Sequence, residues 1–181
     1  MNALTVNIAP GIDTNLRDGL FIGGAAESAV ALVERIIGDT SLEVVTVDAM
    51  GGGRVAAKQL HEALRRIEDG DEVLVVVEGI DALDPMPMHD EAAETREAWR
   101  FLGDLSRRNA PLIITATEPD LDAPPLGVEI GAYVAFPLRS RPYFAYGLGI
   151  GMSDALDLDD LNPGEVYVRV GGGAPVRRVL S

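Results

Sequence analysis

Apolar residues along the chain cluster in two ways: short unbroken runs, and longer segments in which they recur every three or four positions. The first pattern suits strands and the second suits helices with one buried stripe, so their alternation predicts a parallel sheet with helical crossovers. Residues 20–24 (LFIGG) form an apolar run ending in glycines, and residues 28–38 (SAVALVERIIG) then place Ala29, Val30, Val33, Ile36 and Ile37 at helical spacing. Residues 42–48 (LEVVTVD) read as a second strand covered on both faces. After Gly51, Gly52 and Gly53, residues 54–69 repeat apolar groups at Ala56, Leu60, Ala63, Leu64 and Ile67, the stripe of an amphipathic helix stopped by Gly70. The run 73–77 (VLVVV) is the most hydrophobic in the chain and reads as the centre of the sheet.

Pro85 and Pro87 break the pattern, and residues 90–109 form a third helix with acids at its start and Arg107 and Arg108 in its last turn, as the helix dipole favours. Its inner face carries Ala98, Trp99, Leu102 and Leu105, which makes Trp99 a core residue. Residues 111–117 (PLIITAT) and 133–138 (YVAFPL) read as a fourth and a fifth strand. The alternating runs VYVRV and PVRRVL, separated by Gly171, Gly172 and Gly173, predict a C-terminal β-hairpin. No repeat, low-complexity tract or linker divides the 181 residues. The expected organisation is one domain: an N-terminal strand or arm over 1–18, an α/β core over 19–138 and the hairpin region over 139–181.

Composition narrows the function classes. The 47% hydrophobic and 24% charged residues are those of a packed globular chain. No apolar run approaches the roughly 20 residues of a membrane span, and the N-terminus lacks the basic start and apolar stretch of a signal peptide, so a cytoplasmic protein without membrane insertion is expected. The absence of cysteine excludes disulfides, thiolate metal sites and a cysteine nucleophile. The two histidines are isolated, His61 in a helix and His89 in the Pro/Met segment with Met86 and Met88, and both read as structural. A net charge of −14 opposes a phosphate backbone and argues against broad nucleic-acid binding. The paired arginines Arg107 and Arg108, Arg139 and Arg141, and Arg177 and Arg178 are either local basic patches or solvated charges at element ends.

Ligands of alternating α/β sheets bind at the carboxyl ends of the strands, where helix N-termini offer free N–H groups. Gly23, Gly24, Ala25, Ala26, Glu27 and Ser28 (GGAAES) stand where a phosphate-binding loop would sit. A working GxxxxGK[ST] loop needs a lysine for the phosphates and a hydroxyl for magnesium. The only lysine is Lys58 in the second helix, Glu27 adds negative charge, and Ser28 reads as a helix N-cap. The next strand end, VVVEGID, has the form of a magnesium-binding strand with Glu78 in the first acidic place, but Gly79 replaces the general base unless Asp81 substitutes for it. Glu78 and Asp81 are equally readable as exposed acids after a core strand. Thr115 and Thr117 of ITATEPD occupy sensor positions, though threonine also favours strands for its own sake.

From about Leu20 to Leu180 these features resemble the FtsK, SpoIIIE and EccC group of P-loop translocases. The resemblance rests most on the ordered series LIITATEPD, FPLRSRPYF, GLGIG, DALDLDDLNPGEVYVRV and APVRRVL. It implies a RecA-like three-layer α/β sandwich with a mostly parallel five-stranded sheet, a ring or stacked assembly, and nucleotide sites completed by a neighbour's arginine, for which Arg107, Arg108 and Arg141 are the possible donors. Loss of both Walker residues departs from the group and touches activity more than fold. The expectation is therefore a catalytically inactive ATPase-like module with no cofactor, acting through protein contact or self-association. Two alternatives stand beside it: a divergent ATPase that holds ATP and Mg²⁺ with a partner's help, and a structural component of a phage or secretion assembly.

Overall fold

The computed structural model describes residues 4–24, 27–83, 92–117, 128–137, 158, 161–162 and 164–180. The chain opens with a β-hairpin, β1 (Thr5–Ala9) and β2 (Ile12–Asn15), turned at Gly11, and a 3-10 turn then leads into β3 (Leu20–Gly23). Val6, Ile8 and Leu16 of this hairpin region are buried, so the expected N-terminal arm is a folded part of the core.

The remaining elements alternate as the apolar pattern requires. Helix α1 (Glu27–Asp39) is followed by β4 (Glu43–Asp48), α2 (Gly53–Glu68), β5 (Val73–Glu78), α3 (Ala92–Arg107), β6 (Leu112–Ala116), β7 (Ala132–Ala135), β8 (Glu165–Val170) and β9 (Val176–Val179). The sheet runs in the order β4-β5-β6-β3-β7-β8-β9, seven strands wide where five were expected. Strands β4 to β7 of that order are parallel. The antiparallel pair β8 and β9 adds to the β7 edge, with Ala132 opposite Val170 and Tyr167 opposite Arg177.

Side chains alternate between two cores, because successive residues of a strand face opposite sides. Phe21, Val75, Val77 and Ile114 meet the α2 and α3 stripes, including Leu60, Trp99 and Leu102. Leu20, Ile22, Leu74, Val76 and Ile113 meet α1 and the β1–β2 hairpin. The structure thus has three layers, two helices on one face and one helix with the hairpin on the other.

The strand order corrects two expectations. Strand β4 lies at the sheet edge, with Glu43, Thr46 and Asp48 exposed and only Val47 fully buried, as a strand with a single neighbour allows. Its β-branched composition signals a strand and not two-sided burial. Strand β5 is buried along Val73–Val77 as expected, but it is second from the edge, and β3 lies at the middle of the seven. Among the described residues no helix is long and apolar enough to cross a membrane.

Candidate functional site

The chain leaves β3 toward the β4 edge and leaves β6 toward β7 on the opposite side of β3. Such a reversal opens a crevice at the carboxyl ends of the strands. A cavity of about 470 Å³ lies there, between α1 and the ends of β3, β5 and β6. One wall is a face of α1 carrying Glu27, Val30, Val33, Glu34 and Ile37. The other is built from Met50, Glu78, Gly79, Thr115, Ala116 and Thr117.

Alternation explains why these side chains share the crevice. Leu74 and Val76 face α1, so Glu78, two residues further on, emerges on the same face where the helix cover ends. Ile113 likewise brings Thr115 to this face. Gly79 has φ +68, a left-handed conformation, and a Cβ there would lie 2.5 Å from Cγ of Met50, so a side chain at this position is both strained and obstructed.

Strand β6 ties the two flanking strand ends together. The Gly24 N–H donates to the Ala116 carbonyl at 2.9 Å. The Gly79 N–H donates to Oγ1 of Thr115 at 3.2 Å. The Thr117 N–H and hydroxyl donate to the Asp81 carboxylate at 3.1 and 3.0 Å.

The structure brings together Gly24, Glu27, Glu78, Thr115 and Thr117 from among the expected site residues, with Gly23 at the end of β3. Asp81 does not turn back to join Glu78, because both its oxygens accept from Thr117. Helix α1 begins at Glu27, so Ser28 lies inside the first turn and is not its N-cap. Ala25 and Ala26 lie outside the described residues, as do Arg139, Arg141, Met86, Met88 and His89.

The arginine candidates are engaged locally. Arg107 pairs with Asp104 one turn back, and Arg108 reaches Glu68 of α2 at 2.6 Å. Arg177 pairs with Glu165 across the β8–β9 hairpin, and Arg178 donates to the Arg177 carbonyl. With the Arg177 guanidinium and the Asn162 backbone and side-chain N–H groups bonded to it, the Glu165 carboxyl falls to about 2. His61 is structural as expected, stacked on Phe101 at 4.9 Å.

Sequence reasoning missed Val30 and Met50. Val30 was placed in the core stripe of α1, yet it is 59% exposed, and Met50 is 67% exposed. A helix wheel cannot separate Val30 from the buried stripe of α1, because it borders the buried positions Ala29 and Val33.

The described lining of the crevice holds three carboxylates, Glu27, Glu34 and Glu78, and no lysine or arginine. Among the described residues no group of three His, Cys, Asp or Glu side chains is arranged to hold a metal.

No protein-family model matches the chain, and no curated protein matches it in sequence. Its fold does match solved structures. The DNA-packaging ATPase B204 from Sulfolobus turreted icosahedral virus superposes with a TM-score of 0.63 at 9% identity, covering 90% of this chain and 97% of that one. The genome-packaging NTPase B204 of Sulfolobus turreted icosahedral virus 2, solved with AMPPCP, gives 0.61 at 7% identity over 92% and 99% of the two chains. Its ATP-γS complex gives 0.62 at 8% identity, again over 92% and 99%. This chain shares the fold of these packaging ATPases.

Proposed function

We propose that the chain is an ATPase-fold module of the FtsK and EccC kind that works through protein contact, assembling with itself or docking on an active homologue, and does not turn over nucleotide. The observation that carries this reading is the lining of the crevice. Where this fold would receive a triphosphate, three carboxylates line the crevice without a cation among the described lining residues. Bringing several negative charges of a nucleotide against them without a lysine or magnesium is repulsive. Asp81, the remaining acid that would have had to replace the missing general base, is held by Thr117.

A divergent ATPase is the second reading, favoured by the likeness of fold to the B204 structures solved with AMPPCP and ATP-γS. It requires a partner's cation to offset the Glu27, Glu34 and Glu78 charges. Calorimetric titration of ATP with Mg²⁺ separates the two. The contact-module reading expects no heat up to millimolar nucleotide. Binding tighter than about 100 μM, roughly −5.5 kcal/mol, with turnover lost in Glu78→Gln, would replace it with the divergent ATPase.

A further inference from the structure

We propose that the crevice beside α1 receives a basic, apolar segment of a partner protein, its arginine or lysine held by Glu34 and Glu78 and its aliphatic neighbours by Val30 and Met50. This rests on the contact-module reading and names the chemistry of the contact.

The surface chemistry is mixed in a way that a solvated acidic face is not. Val30 and Met50 are two of the five large hydrophobic side chains exposed among the described residues, and both line this crevice. Apolar groups grouped within a concavity mark a binding surface, whereas scattered ones are ordinary. The cavity, about 470 Å³, lies within the range of sites that bury a ligand.

Charge decides the sign of the occupant. The carboxylates of Glu27, Glu34 and Glu78 border the apolar patch, so an anion is repelled and a cation with an aliphatic stem is matched along its whole length. Shape decides its class. The residues of α1 facing the crevice run from Glu27 to Ile37, which at about 1.5 Å per residue is a groove roughly 15 Å long. That accommodates about four or five residues of extended chain and exceeds the length of a simple amine.

The experiment uses the full chain, isotope-labelled, and three probes followed by amide shifts of Gly79, Thr117 and α1: hexylguanidinium, hexyl phosphate, and a blocked Val-Leu-Arg-Leu-Val peptide with its glutamate-substituted control. Saturable shifts are expected with hexylguanidinium and with the arginine peptide, the peptide being several-fold tighter, and none with the two anions. Glu34→Gln and Glu78→Gln, both exposed, should each weaken the cationic probes about two- to fivefold. Val30→Ser should weaken them without altering charge. Absence of shifts, equal binding of hexyl phosphate, insensitivity to the glutamine variants, or capture of hexylguanidinium without the peptide would each overturn the proposal. If ATP also fails to bind, the contact-module reading survives that failure. ATP binding at the same amides overturns both.

Discussion

Helix propensity and packing make opposite predictions at Gly53, and the sign of one substitution decides between them. Gly53 is the first residue of α2, and its φ lies outside the left-handed region, so alanine is conformationally acceptable there. Propensity alone expects Gly53→Ala to stabilise by up to about 1 kcal/mol. The structure expects the reverse, because a Cβ at this position would lie 2.3 Å from Oγ1 of Thr95 and 2.8 Å from its N and Cα atoms. The side-chain contact can be relieved by rotation, but the backbone contacts require α2 and α3 to move apart, disturbing a core that includes Leu60, Ala98 and Leu102. Overpacking of this kind costs about 1–3 kcal/mol, and contacts below 3.0 Å with two backbone atoms put this case at about 2–3 kcal/mol. Set against the propensity gain, the net loss is about 1–2 kcal/mol, or a fall in melting temperature of about 2–8 °C for a domain of this size. Urea and thermal unfolding of Gly53→Ala, Thr95→Ala and the double variant measure it. Removing the Thr95 hydroxyl should recover part of the loss, giving a coupling of about 0.5–1 kcal/mol, while the backbone contacts keep the double variant below Thr95→Ala alone. A neutral or stabilising Gly53→Ala would refute the close approach of the two helices.

Two further predictions concern the site and the hairpin. Thr115→Val keeps the shape of the side chain but leaves the buried Gly79 N–H without its acceptor, so it should cost about 1–3 kcal/mol in urea unfolding and accelerate hydrogen exchange at Gly79. Glu165 titrates at about 2, below the ordinary 4.5, so its contribution is complete above about pH 4.5 and is lost as pH falls toward 2. The melting temperature of wild type should therefore exceed that of Glu165→Gln at pH 6, and the difference should close by about pH 2. A constant difference would place the effect elsewhere.

What could be read in the sequence follows from where a single physical cause acts. The α2 stripe of Ala56, Leu60, Ala63 and Leu64 and the run of five in β5 are buried as their spacing required, since burial there depends on periodicity alone. The N-terminal hairpin was less visible, although Pro10–Gly11 between two short alternating runs is a turn signal that could have revealed it. The edge position of β4 was hidden because valine favours strands at the edge as well as at the centre. In the site, Glu78 and Thr115 were legible as residues at strand ends. Val30 and Met50 were not, because they border the crevice between α1 and the strand ends, which only the assembled fold creates. Which carboxyl groups share the crevice likewise depends on strand order, which no local pattern encodes.

The bonds at the end of β6 have a mechanical consequence. Ala116 holds Gly24, Thr115 holds Gly79 and Thr117 holds Asp81, so one strand terminus acts as a crossbar between the loops on either side of it. A motor that converts an event at one of these loops into displacement at the other must let them separate or slide. Here, separation stretches all of these links together, and a load applied at α1 is passed into the sheet as a whole. Such a frame favours joint movement of the two loops with the end of β6 over independent displacement of either.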